Sequence, residues 1–185
     1  EIMPLTFLCF DPPSEELMSR PPRSRREHIL RWATGGEVIF LGTLIGALAV
    51  ANYLVFQLRN FGDIGGWLHL EQQGSLDYAR ATTLCYLTIA FCQFVNILSR
   101  RYDFTTLFNR NFWTNKILVN SIVASIVLVL IGVYAPYISD FLSFEGPSVV
   151  DWLCVLASAG IYLGVFEGMK ALKRRQRKQE EGAPA

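Results

Sequence analysis

The sequence predicts an all-α protein, a polytopic membrane helix bundle with four full transmembrane helices. Its composition is 51% apolar and only 18% charged, whereas soluble domains average about 25% charged residues. Four apolar stretches approach or exceed the roughly 20 residues that a helix needs to cross a bilayer. The basic residues are concentrated in alternate connections between these stretches. A soluble helical domain would not separate its charges in this way, so the membrane class is strongly favoured.

The four predicted transmembrane helices belong to a single membrane domain over residues 1–185. They cover residues 37–58, 76–98, 115–138 and 149–170. The fourth span differs from the others in having Asp151 and Glu167 near its ends. Residues 1–10 are also apolar but are too short to span, so we expect them to be the end of an earlier helix whose start precedes this sequence.

Local signals agree with these boundaries. Ser148 followed by Asp151 is a pattern typical of a helix N-terminus, because each side chain can accept a hydrogen bond from free backbone N–H groups there. The pairs Gly65-Gly66 and Gly146-Pro147 predict turns in the first and third connections.

Lysine and arginine predict the orientation. Fifteen of the 17 basic residues fall in three segments: the predicted loop 11–36, the connection between spans two and three together with Lys116 at its edge, and the end of the chain from Lys170 onward. Only Arg59 and Arg80 lie on the other side. Since positive residues accumulate on the cytoplasmic side of membrane proteins, we expect the loop 11–36, the tail 171–185 and both ends of the chain to be cytoplasmic.

Small residues predict which helix faces pack. Gly42 and Gly46 form one G-x-x-x-G pair, and three glycines at the same spacing occupy the fourth span at positions 160, 164 and 168. Ser121 and Ser125 continue the pattern in the third span. Side chains this small allow helix backbones to approach closely in a membrane.

The most specific motif precedes the first span. Residues 11–23 read Asp11-Pro12-Pro13-Ser14-Glu15-Glu16-Leu17-Met18-Ser19-Arg20-Pro21-Pro22-Arg23. Each proline pair removes backbone donors and fixes φ, so no helix can continue through either pair. A solvated, proline-rich linker would account for one pair alone. Two pairs around an acidic turn, followed by arginines and an apolar span, form a more specific pattern.

This order resembles the C-terminal membrane part of type II P-type cation-transporting ATPases, over nearly all of the 185 residues. In that family a D/E-P-P-x-x-x-x-M-x-x-P-P-R loop joins the sixth and seventh transmembrane helices. The resemblance implies that the four spans are helices seven to ten, preceded by the end of helix six. It also implies a coupling role in the cytoplasmic loop for Asp11, Pro12, Pro13, Met18, Pro21, Pro22 and Arg23.

Polar residues at membrane depth are the candidates for an ion site, because burying them there is costly. Gln93 and Asn96 lie three residues apart and therefore on one helix face, where either interhelical hydrogen bonding or ion ligation is possible. Asn52 and Asn120 are further polar residues within spans.

The resemblance implies one further ligand. In the family, helix six is unwound around an acid-x-x-Pro segment whose carboxylate binds the transported cation, and Glu1 with Pro4 is similar to it. The family usually has Asp where this chain has Glu1. Ala90 is a second departure, since calcium pumps of similar sequence have a glutamate there. Ca²⁺, Na⁺, K⁺ and H⁺ all remain open as the cation.

The residues present do not predict catalysis or a bound cofactor in this chain. It has no phosphate-binding glycine loop and no D-K-T-G phosphorylation motif. ATP and Mg²⁺ are expected only for the full pump, so whether this chain counts as an enzyme stays undecided. The expected partners are the lipid bilayer, the remaining transmembrane helices and soluble phosphorylation domain of the same polypeptide, and the cation, with no nucleic acid.

A second reading is a self-contained four-helix membrane scaffold or small transporter without ATPase activity. The sequence immediately before Glu1 distinguishes the two. A further apolar helix after a large soluble region that contains D-K-T-G would favour the pump, and a start codon there would favour the scaffold.

Overall fold

The structure is a computed structural model that describes Pro4, Thr6, Cys9 and residues 32–61, 76–100 and 116–181. Pro4 and Thr6 are helical. Glu1 and the whole proline motif, residues 11–23, lie outside the described residues. The division of the chain into loop, spans and tail stays a prediction in those parts.

Within residues 32–61, 76–100 and 116–181 the structure contains five helices and no strand. The helices are α1 Trp32–Phe61, α2 Leu76–Arg100, α3 Lys116–Tyr134, α4 Pro136–Leu142 and α5 Val149–Glu181. All except α4 contain a stretch that is long and apolar enough to cross a membrane. The predicted all-α membrane bundle with four long apolar helices is therefore confirmed.

Helix α1 shows how the sequence selects one face for packing. Its buried side chains include Leu41, Ile45, Ala49, Asn52 and Phe56, which recur every three or four residues as a helix requires. The positions between them are largely exposed in this bundle. The helix begins at Trp32, five residues before the predicted span.

Helix α2 is the central element of the bundle. It packs most extensively against α5 and α1 and contributes to three apolar clusters. Leu84 and Leu87 pack with Phe56 of α1 and Val155 of α5. Elsewhere on α2, Cys92 packs with Leu41, Ile45, Tyr162 and Phe166, and Phe94 and Ile97 pack with Leu118 and Ile122 of α3. In lipid such helices associate mainly through close packing and hydrogen bonds.

The third predicted span, 115–138, is divided in two. Helix α3 ends at Tyr134, Ala135 is extended with φ −78° and ψ 117°, and α4 starts with Pro136 in its first position. Proline has no N–H and disfavours the helical conformation of the residue before it, so the break falls at Ala135. Ser143 then ends α4 in the left-handed conformation, with φ 54°.

Helix α5 begins with the predicted cap and extends beyond the predicted span. The Ser148 N–H donates to Asp151 Oδ2 at 2.9 Å, and the Asp151 N–H donates to Ser148 Oγ at 3.4 Å. This reciprocal arrangement satisfies donors at the helix start. The helix continues to Glu181, so residues 171–181 of the predicted tail are helical.

The glycine pattern does not define packing faces inside the described bundle. Gly42, Gly46, Gly160, Gly164 and Gly168 have open space around the position of an added Cβ atom. That expectation is wrong for the described helices, because larger residues on other faces of α1 and α5 make the contacts. By contrast, Ser121 and Ser125 are buried.

Candidate functional site

The two described ligand candidates lie together on α2. Asn96 Nδ2 donates to Gln93 Oε1 at 3.3 Å, and Arg100 Nε donates to Asn96 Oδ1 at 3.2 Å. Gln93 and Asn96 are both half-buried. A guanidinium beside Asn96 repels a cation approaching the same oxygen. The chain of contacts thus favours hydrogen bonding over ligation at Asn96, and the proposed role of both residues in ion binding stays a prediction.

Ala90, at the position where calcium pumps of similar sequence have a glutamate, lies on the same helix. Ala90 is half-buried and precedes Gln93 by three residues, which is nearly one helical turn. A longer acidic side chain at this position could reach toward the surroundings of Gln93. The carboxylate of Glu1 lies outside the described residues.

A buried polar cluster joins three helices, and sequence reasoning found only one of its members. Asn52 Nδ2 of α1 donates to Thr88 Oγ1 of α2 at 2.7 Å and to Ser158 Oγ of α5 at 3.0 Å. Thr88 Oγ1 in turn donates to the Leu84 carbonyl at 2.8 Å. Thr88 and Ser158 gave no signal in the sequence, because either hydroxyl can satisfy itself on its own helix backbone.

At one end of the bundle, an ion pair connects α1 to α5. Arg59 Nη2 lies 2.5 Å from Asp151 Oδ1, whose side chain is almost fully buried. The Ser148 hydroxyl donates to the other oxygen of the same carboxylate at 2.8 Å. Asp151 therefore serves both as part of the helix cap and as the partner of α1.

The same end also ties α2 to the connection before α5. Arg80 Nη2 lies 3.4 Å from Glu145 Oε1, and the Glu145 N–H donates to Thr83 Oγ1 at 3.1 Å. Trp152 Nε1 donates to the Tyr134 hydroxyl at 2.9 Å, which links α5 to the end of α3.

At the opposite end, α1 and α5 are joined again. Lys173 Nζ of α5 forms an ion pair with Glu37 of α1. Lys170 Nζ lies 3.2 Å from Glu167 Oε1 within α5. Glu167 thus has Lys170 as a partner within α5, whereas Lys173 connects α5 to Glu37 of α1.

These contacts join the helices of the bundle at three levels. Polar contacts connect α1 and α5 at both ends and near the middle, with α2 packed against both. No group of three or more His, Cys, Asp or Glu side chains that could hold a metal ion occurs among the described residues.

Comparison with known proteins decides the family. The family model described as "Cation transporting ATPase, C-terminus" matches residues 1–172. The chain belongs to this family. The membership agrees with the resemblance carried by the proline motif and the four spans, and the scaffold reading is not favoured.

Curated relatives of this cation-transporting ATPase C-terminal domain are calcium-transporting ATPases. It is 24% identical to one from Bacillus subtilis, over 94% of this chain and 18% of the relative. It is 24% identical to an endoplasmic reticulum calcium ATPase from Aspergillus fumigatus, over 94% of this chain and 20% of the relative. Identity to calcium-transporting ATPase type 2C member 2 of Rattus norvegicus is 24%, over 92% of this chain and 17% of the relative.

The chain thus spans about a fifth of the length of the curated relatives it matches. The prediction of a C-terminal membrane module of a cation pump is confirmed at the level of the family. The apolar helices and the family together support an integral, multi-pass membrane protein.

Proposed function

We propose that this domain supports the transport helices of an ATP-driven cation pump and contributes part of its ion site. The single observation that carries the proposal is the family match over residues 1–172. The phosphorylation and nucleotide-binding parts, with ATP and Mg²⁺, would belong to the rest of the polypeptide.

The helix contacts suit a support role. The Asn52 amide joins three helices within the bundle, and the Arg59–Asp151 and Glu37–Lys173 pairs join α1 to α5 at either end. A bundle connected at three levels resists relative motion of its helices. Phosphorylation of the soluble domain would then move the earlier helices against a fixed neighbour.

The outward glycine faces suit close contact with the remaining transmembrane helices. Added Cβ atoms at Gly42, Gly46 and Gly164 would meet no neighbour in this bundle. A helix from elsewhere in the same polypeptide could approach α1 or α5 closely at these positions.

The proposed ion site centres on Glu1. Pro4 would leave a backbone carbonyl without its helical donor, and a carboxylate beside free carbonyls is an oxygen site suited to a hard cation. Gln93 and Asn96 are weaker candidates, since Arg100 already occupies the Asn96 oxygen. Ca²⁺ is the first cation to test because the relatives are named as calcium-transporting ATPases.

The test is cation-stimulated phosphorylation by ATP of the full-length polypeptide that contains this chain. We expect phosphoenzyme to form in the presence of the transported cation, with Ca²⁺, Na⁺, K⁺ and a range of pH compared in parallel. Glu1→Gln should abolish or greatly weaken that stimulation, whereas the same change at Glu145, in the connection before α5, should not. Wild-type ion dependence in Glu1→Gln would remove Glu1 from the site. Absence of ATP-dependent phosphoenzyme under every condition would overturn the pump itself.

Ala90→Glu tests whether position 90 of α2 faces the ion site. If Ala90 faces the ion site, the added carboxylate should shift the cation preference toward divalent ions, because more negative charge offsets their dehydration. A stability loss with unchanged preference would show that Ala90 faces lipid or packed side chains.

A further inference from the structure

A row of buried side chains along one face of α5 ends in two basic residues. Tyr162, Phe166, Lys170 and Arg174 follow one another at intervals of four residues, so they lie along one face of the helix. The first three are buried, and Arg174 is half-buried. Charged residues are almost never buried without a partner. Lys170 pairs with Glu167, so the position of Arg174 is the one that requires an explanation.

Arg100 of α2 is a third basic residue close to this row of side chains. The guanidinium carbon of Arg100 lies 5.9 Å from the centre of the Phe166 ring, and Lys170 Nζ lies 5.2 Å from it. Both distances are within the range in which a cation is attracted by an aromatic face. Phe166 thus contacts basic side chains from both α2 and α5, at the end of the bundle where α2 finishes.

The acids described at this end balance only part of the positive charge. Glu167 pairs with Lys170, and Glu37 pairs with Lys173. Arg100 makes a hydrogen bond to the neutral amide oxygen of Asn96. Neither ion pair includes Arg100 or Arg174, so the described part of the chain has an excess of positive charge between α2 and α5.

Arg174 is the decisive residue. Its Nε and Nη2 atoms are buried and have no hydrogen-bond partner in the part of the chain that the structure describes. Leaving a buried donor unsatisfied destabilises a protein, and the cost is larger for a charged group. The two N–H groups of a guanidinium edge match the geometry of a phosphate, which accepts both at once.

The depth of Arg174 favours a lipid as the source of that phosphate. At about 1.5 Å per residue, roughly 20 residues of α5 cross a hydrocarbon core about 30 Å thick. Counted from Val149, the helix leaves the core shortly before Lys170. Arg174 then lies among the headgroups, where a cluster of basic residues next to a transmembrane helix is typical of binding to anionic lipids.

We propose that Arg174 binds the phosphate of an anionic phospholipid headgroup at the end of α5 beside α2, with Arg100 and Lys170 adding positive charge around it. The bound lipid would satisfy the buried guanidinium of Arg174 and stabilise the contact between the two helices. This site is separate from the proposed ion site at Glu1, and the proposal does not depend on transport activity.

The test uses the purified full-length polypeptide in detergent with added lipid. Phosphatidylserine should raise the midpoint of thermal unfolding by several degrees and should be retained in native mass spectrometry at least threefold over phosphatidylcholine. Arg174→Gln should lose the preference, and Arg100→Gln should weaken it. Arg175→Gln is the matched control, because it removes one charge at the next position, which is exposed, and it should keep the preference.

Three results would overturn the proposal. The first is a phosphatidylserine preference that survives Arg174→Gln. The second is an equal loss in Arg175→Gln, which would indicate general attraction to a basic tail. The third is a full thermal shift with inorganic phosphate or glycerophosphoserine alone, which would indicate a site for a soluble anion. If Arg174→Gln fails to fold, a photoreactive phosphatidylserine on the wild type decides, since it must label peptides containing Arg100 or Phe166 to Arg174.

Discussion

Arg59 and Asp151 are 92 residues apart in the sequence, yet their side chains meet at 2.5 Å. Only 3% of the Asp151 side chain is exposed, against 34% for Arg59. The carboxylate also accepts two hydrogen bonds from Ser148. One acidic residue thus fixes both the start of α5 and its position against α1.

Removing Arg59 should destabilise the bundle. Arg59→Gln leaves the buried Asp151 carboxylate without its charged partner, and we expect a loss on the order of 1–3 kcal/mol in the free energy of unfolding. Thermal unfolding of the purified protein in detergent measures the effect. Arg80→Gln is the control, because its pair with Glu145 is longer, 3.4 Å, and more exposed, and it should cost less than about 1 kcal/mol. Equal losses in the two variants would contradict the central role of the buried pair.

The Asn52 cluster should couple three helices energetically. Asn52→Leu removes both interhelical hydrogen bonds, and Thr88→Val removes one of them. Interhelical hydrogen bonds in membranes contribute roughly 0.6 kcal/mol on average and about 1.7 kcal/mol at most. A double-mutant cycle between Asn52 and Thr88 should show a coupling energy in that range.

Ser125→Ala provides the comparison for that cycle. The Ser125 hydroxyl is buried but donates only to the Ser121 carbonyl of its own helix, so its loss should change stability little. A zero coupling energy between Asn52 and Thr88, or a larger loss from Ser125→Ala, would show that the cluster is not a stabilising connection.

The orientation predicted from the basic residues can be checked by labelling. The structure places Glu145 and Arg59 at one end of the bundle and Arg100 and Lys173 at the other. Single cysteines placed at positions 66 and 145 should therefore react from outside, and those at positions 101 and 179 from the cytoplasm. A cysteine-free background with its own expression control is needed. Reaction of positions 101 and 145 from the same side would refute the topology.

The arginines of the loop 11–36 should affect the coupling of phosphorylation to transport more than they affect membrane insertion. Neutralising Arg20, Arg23, Arg25 and Arg26 removes charge next to the two proline pairs. In the full-length protein we expect weaker phosphoenzyme formation or weaker coupling to transport. Insertion should be retained because 11 of the 15 basic residues on the predicted cytoplasmic side remain. Phosphorylation and transport that both match the wild type would exclude the role assigned to this loop.

Local sequence patterns were sufficient to predict the fold class, the number of long apolar helices, the family and the start of α5. Each of these depends on local information: hydropathy over about 20 residues, the proline motif, and Ser148 with Asp151 three residues later. The helix break at Ala135 also has a local cause, because Pro136 follows it. The continuous apolar character of 115–138 nevertheless led to the prediction of a single helix there.

Which helix faces pack together, and which polar groups meet, could be seen only once the helices were placed against one another. The glycines of α1 and α5 face outward in this bundle, although their spacing favours close packing, because spacing defines a face but not its neighbour. Thr88 and Ser158 become important only through the Asn52 amide on a third helix. Arg174 points to a binding site only because the structure shows that its buried N–H groups lack a partner among the described residues. Contacts between residues far apart in sequence depend on the relative rotation of whole helices, which no short segment of the chain encodes.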